Sequence, residues 1–301
     1  MTTFLQYLVN GLMMGIVYSM IGIGFSLIFG IVRVLNFAYG EFYMIASYVT
    51  FFLGVQMGIP VWIIFIIVIV SMFLFGILTD KVLIKPLREN TDEHGEHTGV
   101  IIATFGLQTI LQAVALLLFG GGYRGAASYT TGRCELGDVI ISHERLLMFF
   151  VSAVVIIATL AFMKYSKMGR AMRAVSQNRN AALLSGINVN RVYAFSFGLS
   201  SALIGIAGAL LLPFYSTYPT VGTMPMDKAF ATTLMGGLGS IEGAIIAGPL
   251  LGVLEALAAG YIGSQTKEAV AFACVIIVLI AFPGGLGEFV KKFSKKGGLK
   301  R

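Results

Sequence analysis

Charged residues are scarce in this 301-residue sequence. Asp, Glu, Lys and Arg together make up 12% of the chain, whereas 57% of the residues are hydrophobic. Soluble domains usually have about 25% charged residues, because their surfaces must be solvated. The composition therefore excludes a soluble domain. Long apolar segments without a period of two then predict an all-α polytopic membrane protein.

Catalytic and metal-binding motifs are also missing. The sequence contains no GxxxxGK[ST] phosphate-binding loop, no GxSxG, no HExxH and no CxxC. Cys134 and Cys274 fall in a predicted outer loop and in an apolar segment, so they are not expected to pair. His94 and His97 lie among acids in residues 80–99, which we interpret as a solvated loop with no metal site. These absences argue against an enzyme.

The strongest topological signal is the segment at residues 164–192, which holds six basic residues and no Asp or Glu. It lies between two membrane-length apolar segments, and basic residues in such positions stay on the cytoplasmic side. Its apolar residues, including the run Ala181–Leu184, predict short helices on either side of Gln177–Asn180. The basic residues are Lys164, Lys167, Arg170, Arg173, Arg179 and Arg191.

The apolar segments predict eight to nine membrane-spanning helices in a single transmembrane domain over residues 1–301. Residues 229–238 are too short to cross alone and run into a Gly-rich turn, which is typical of a short or re-entrant helix. With the 164–192 segment inside, the N-terminus lies outside and the C-terminus inside, with a basic cytoplasmic tail at 287–301. Most Lys and Arg residues then fall on the inner side, as expected.

Polar and small residues inside the apolar segments are candidates for a translocation path. Charged groups at such depth usually face protein or water, and small residues leave room, although helix packing also explains them. The region around Asn36 is either an interfacial loop or a broken, pore-lining segment. The candidates are Asn36, Glu41, Gly22, Gly24, Gly248, Gly252 and Glu255.

Two mechanisms of solute transport remain open on this pattern. An ion-coupled secondary transporter needs carboxylates in the membrane, for which the candidates are Glu41, Asp227, Glu242 and Glu255. A pump-driven permease instead needs a cytoplasmic surface on which a separate ATPase docks. The segment at 164–192 fits that second requirement.

Three motifs, one in each third of the chain, carry a resemblance to a known family. They are LNFAYGEFYMIASYV, YSKMGRAMRAVSQNRNAALLSGIN and DKAFATTLMGGLGSIEGAIIAGPLLGVLEAL. In these the chain resembles the Liv H-type permease subunits of bacterial ABC importers for branched-chain amino acids. Importers of urea and short amides have similar subunits, so the substrate stays open.

The resemblance implies several partners for a chain that lies in the bacterial cytoplasmic (inner) membrane. They are a second, homologous permease subunit, two ATPase subunits that bind ATP and Mg, and an external solute-binding protein that delivers an amino acid. No cofactor is expected in this chain, and no nucleic acid. Whether the permease partner is a second copy or a different chain stays open. The resemblance places ATPase coupling on Gly169, Arg170, Arg173, Ala174, Ala181 and Gly186.

Overall fold

The computed structural model describes residues 2–90, 93–126, 128–130, 132–136 and 139–288. The predicted basic tail therefore lies outside the described residues from position 289 onward. The described chain is mostly helical. Its helices are α1 (Thr2–Val32), α2 (Tyr39–Phe51), α3 (Val61–Thr79), α4 (Lys85–Asn90), α5 (Glu93–Phe119), α6 (His143–Tyr165), α7 (Lys167–Gln177), α8 (Arg179–Leu184), α9 (Val189–Leu211), α10 (Thr223–Gly236), α11 (Ile241–Tyr261) and α12 (Lys267–Ala281).

Six helical stretches of the described chain are long and apolar enough to cross a membrane. They are residues 3–32, 61–88, 98–119, 143–165, 189–211 and 241–261. This confirms a mostly helical polytopic membrane protein. α2 has 13 residues and continues directly into a π-helical segment, Phe52–Gln56. α10 and α12 have 14 and 15 residues, fewer than the roughly 20 that a span needs.

The described residues of the 80–99 segment are helical, so the predicted loop is wrong for them. α3 continues through a π-helical segment, Asp80–Ile84, into α4, and α5 begins at Glu93. Asp80 and Arg88 are both buried and form an ion pair with 3.0 Å between Oδ1 and Nη2. Because the two opposite charges pair with each other inside the protein, they do not mark a loop.

The predicted outer loop, residues 120–145, contains a pair of β-strands in the otherwise mostly helical described chain. Strands β1 (Arg133–Leu136) and β2 (Val139–Ser142) pair antiparallel there, with Arg133 opposite Ser142. Alternation is hard to recognise in strands of four residues, so the sequence gives no strand signal.

Close contacts divide the chain into two compact units. The first comprises the described residues within Met1–Ser26, Thr130–Val154 and Asp227–Arg301. The second comprises those within Leu27–Tyr129 and Val155–Met226.

In the second unit, α2 and α3 pack against α9 at positions where side chains are small. A Cβ at Gly76 of α3 would overlap Ser201 of α9, and a Cβ at Gly208 would lie 2.7 Å from the carbonyl oxygen of Tyr43. Such close backbone approach is the usual basis of helix association in membranes. α9 is therefore buried along most of its length.

In the first unit, α1 and α11 pack antiparallel through glycines. A Cβ at Gly11 would lie 2.6 Å from the Gly252 carbonyl oxygen, and a Cβ at Gly252 would lie 2.6 Å from the Gly15 Cα atom. Real Cβ atoms essentially never come within 3.0 Å of such atoms. Glycine at these positions lets the two backbones touch.

We expect Gly252→Leu to destabilise the protein, because its side chain has no space against α1. Overpacking of this kind costs about 1–3 kcal/mol. Gly106→Leu on α5 is the matched control, since a Cβ at Gly106 meets no atom of the described residues within 4 Å. The check is the thermal unfolding midpoint in detergent, and equal midpoints for the two variants would contradict this account.

Candidate functional site

The segment at 164–192 folds as two short helices, α7 and α8, on either side of Asn178. Ser166, Asn178 and Asn188 precede α7, α8 and α9, and each side chain accepts the backbone N–H three residues further on, at 2.8, 3.0 and 3.0 Å. Ser and Asn are favoured at such N-cap positions because they satisfy a free amide of the first turn. The caps explain why the chain breaks into three helices here.

α7 is anchored by one face and exposed on the other. Gly169, Met172 and Val175 are buried, at a spacing of three residues that defines a single helix face. A Cβ at Gly169 would lie 2.6 Å from the carbonyl oxygen of Phe162, so α7 touches the backbone at the end of α6. The position of α7 is therefore fixed by α6.

Arg170 and Arg173 bind the last carbonyl groups of α6. Arg170 Nη1 donates to the Tyr165 carbonyl oxygen at 3.0 Å, and Arg173 Nη1 donates to that of Met163. Free carbonyls at a helix C-terminus carry partial negative charge and favour basic partners. The two arginines thus hold α7 on α6, a role that the sequence pattern does not predict. The sequence signal that could have indicated this anchoring role is a pair of basic residues shortly after the end of a helix.

α8 presents an apolar surface to its surroundings. Only Ala182 of the predicted stripe Ala181–Leu184 is buried, whereas Leu183 is 50% exposed and Leu184 is 91% exposed. The stripe is therefore not one buried face, because consecutive residues lie about 100° apart on a helix. Gly186 ends α8 with a φ of +79°, a left-handed conformation that favours glycine.

A buried aromatic ring connects α8 to α4. The Arg88 guanidinium lies 4.3 Å from the centre of the Tyr193 ring, and the Arg179 guanidinium lies 5.9 Å from the same centre. Arg88 is held by its ion pair with Asp80. Arg179 is the first residue of α8, so these four side chains join α8, α9, α4 and the π-helical segment. The sequence reasoning missed this cluster.

Asn36 and Glu41 lie in the second unit and are buried, each 1% exposed. Asn36 Oδ1 accepts the Ala38 backbone N–H at 3.0 Å, and Glu41 accepts a hydrogen bond from Gln112 Nε2 at 2.8 Å. The chain between α1 and α2 is not helical, and Arg33, with a φ of +60°, is exposed. This non-helical stretch fits both an interfacial loop and a broken, pore-lining segment, and its role in a path stays a prediction.

Glu255 lies in the first unit inside a satisfied polar cluster. It is paired with Lys228 and accepts a hydrogen bond from the Tyr18 hydroxyl at 2.9 Å. Glu255 and Lys228 are 6% and 5% exposed. The cluster joins α1, α10 and α11, because each helix contributes one of the three side chains.

The glycines predicted for a path also lie in the first unit. Gly22 is in contact with Thr232, Gly248 with Ser19, and Gly252 with Gly11, while Gly24 is buried. These contacts fill the space beside three of the glycines, as the helix-packing alternative expects. Their role in translocation stays a prediction, and so does that of Glu255.

These features define a polytopic membrane protein with an anchored helical segment between two membrane-length helices. The chain belongs to the family described as "Branched-chain amino acid transport system / permease component", whose profile matches residues 7–280. This confirms the resemblance that the three sequence motifs indicate.

Several characterised relatives are similar over most of the chain. The high-affinity branched-chain amino acid transport system permease protein LivH of Salmonella typhimurium is 35% identical over 94% of this chain and 95% of its own length. The corresponding protein BraD of Pseudomonas aeruginosa is 34% identical with the same coverage. The ribose import permease protein RbsC of Haemophilus influenzae is 28% identical over 62% of this chain and 60% of its own length.

Proposed function

We propose that this chain is a permease subunit of an ATP-driven importer in the bacterial cytoplasmic membrane. It forms half of the translocation path for branched-chain amino acids, together with a second, homologous permease subunit. An external solute-binding protein delivers the substrate, and two ATPase subunits bind ATP and Mg. Family membership and the names of the LivH and BraD relatives support the substrate class.

The observation that carries the coupling part of the proposal is the α7–α8 segment. It is fixed to α6 by buried residues and by two arginines, yet Leu183 and Leu184 are exposed between two membrane-length helices. An exposed apolar pair on an anchored segment is typical of a protein interface. In our proposal the ATPase subunit docks there, and the Arg179–Tyr193–Arg88 cluster carries its movement to α9 and α3.

The proposed topology has eight to nine spans, with the N-terminus outside and the C-terminus inside. One contact within the first unit supports it. Gly237, after the end of α10, lies against Gly284, after the end of α12. α10 therefore ends beside the end of α12, which favours a short crossing helix over one that turns back.

The test is uptake of labelled leucine into vesicles whose membrane holds both permease subunits and both ATPase subunits, with the binding protein added outside. We expect uptake only with ATP inside, and competition by isoleucine and valine. Vesicles whose ATPase subunits are inactive are the control. Uptake driven by an ion gradient without ATP would overturn the proposal. Competition by urea or acetamide, and not by isoleucine or valine, would mean that the importer carries amides instead of branched-chain amino acids.

A further inference from the structure

A polar recess of about 290 Å³ opens in the first unit. It lies between the first turns of α1, the β-hairpin and the first turn of α6. The described residues that line it include two arginines, three amide or hydroxyl side chains and no acid. They are Gln6, Asn10, Arg133, Ile140, Ser142 and Arg145.

The wall of the recess is held in place by Gln6. Its Nε2 donates to the Ile140 carbonyl oxygen at 2.8 Å, and the Ile140 N–H donates to its Oε1 at 2.9 Å. The side-chain amide thus pairs with the strand backbone as a peptide group would. Arg133 and Ser142 are directly opposite in the hairpin and so share a face. The hairpin therefore presents Arg133 beside α1.

Asn10 provides an acceptor that has no partner within the described residues. Its Oδ1 is buried and receives no hydrogen bond there. A buried acceptor without a donor is costly, and almost all such groups in proteins are satisfied. An N–H group brought by a ligand would satisfy this oxygen.

We propose that this recess binds the zwitterionic group of a free amino acid. The carboxylate contacts the guanidinium groups of Arg133 and Arg145, whose forked donors match its two oxygens. The ammonium group donates to Asn10 Oδ1. The inference rests on the proposed function for the identity of the ligand, and the proposed topology places the recess on the outer side, where substrate arrives.

The recess recognises what amino acids share and not what distinguishes them. Ile140 is the one apolar residue among the described lining, and it is 48% exposed. A leucine side chain would therefore gain little from burial here. In the proposed importer, selectivity among amino acids lies elsewhere, on the binding protein or deeper in the path.

Equilibrium binding to the complete permease–ATPase complex in nanodiscs, without binding protein and without ATP, tests the proposal. The ligands are leucine, alanine, 4-methylpentanoate, which lacks the ammonium group, and leucinol, which lacks the carboxylate. We expect leucine and alanine to bind within about threefold of each other, and each analogue to bind roughly tenfold or more weakly.

Variants of the chain make the test specific to the recess. Arg133→Gln should weaken leucine binding about tenfold, and Arg133→Lys should weaken it less, because the charge remains without the fork. Lys267→Gln is the matched control, since it removes one positive charge from the same unit outside the recess. Copurification of the ATPase subunits verifies that each variant is folded.

Two results would overturn the inference: leucine and 4-methylpentanoate binding equally well, or Arg133→Gln binding leucine like the wild type. Equal binding would mean a general anion site. The uptake assay separates this inference from the proposed function. A complex that binds leucine but shows no ATP-driven uptake overturns only the function, whereas normal uptake without binding in the recess overturns only the inference.

Discussion

Replacing Arg170 and Arg173 together by glutamate should abolish copurification of the ATPase subunits while membrane insertion stays intact. Both side chains bind carbonyl oxygens at the C-terminus of α6, and a carboxylate there would be repelled by the negative end of the helix dipole. α7 should then detach from α6 and lose its defined orientation. We expect ATPase recovery to fall roughly tenfold or more, because docking needs a prearranged surface.

The control for this prediction keeps the charge change and leaves the anchor intact. Lys167 and Arg191 are exposed residues of the same segment, and Lys167→Glu with Arg191→Glu changes the net charge by the same amount. We expect this variant to retain the ATPase subunits. Faster hydrogen exchange of the α7 amides should appear in the Arg170/Arg173 variant alone. Loss of ATPase in both variants without faster exchange would mean that charge, and not the position of α7, controls docking.

Much of this fold follows from local features of the sequence. The long helices are predicted because an apolar segment of membrane length has no other stable form in lipid. The two short helices of the 164–192 segment are also predicted, and their boundaries coincide with Ser166, Asn178 and Asn188, whose side chains bond to nearby amides. Such short-range interactions depend on neighbouring residues only and are therefore visible in the sequence.

The features that the sequence does not reveal depend on partners far apart in the chain. The sequence predicts a hydrophilic loop around Asp80 and Arg88, whereas in the structure their side chains form an ion pair. Glu255 is predicted as a path candidate because it is a carboxylate inside an apolar segment. The sequence does not show that it pairs with Lys228, which lies 27 residues earlier. A pattern of single residues cannot show which charges are neutralised, whereas the energy of a buried charge depends mainly on that.

The same limit applies to predicting the candidate functional residues, because partners that are far apart in the chain are not visible in the sequence. The residues proposed for ATPase coupling occupy one short segment, so the family motif places them together. The path candidates are distributed over both units. Three of the four glycines among them pack against neighbouring helices, an arrangement that a list of small residues does not distinguish from an open path. The recess that contains Arg133 brings residues 6 and 10 together with residues 133–145. It depends on a hairpin that the sequence does not predict.

Lys228→Met should be the most destabilising single substitution of the polar cluster in the first unit. It removes the positive partner of Glu255 and leaves a carboxylate buried beside the Tyr18 hydroxyl. Breaking a buried ion pair in this way costs about 3–5 kcal/mol. We expect the unfolding midpoint in an SDS titration to fall accordingly, and the yield of folded protein to decrease.

The double variant Lys228→Met/Glu255→Met decides between two roles for this cluster. If the pair serves to join α1, α10 and α11, replacing both charges with apolar side chains should recover most of the lost stability and leave ATP-driven uptake near the wild-type rate, since paired buried charges contribute little net energy. If Glu255 instead contacts the solute, stability should recover but uptake should not. A double variant as unstable as Lys228→Met would contradict the ion-pair account itself.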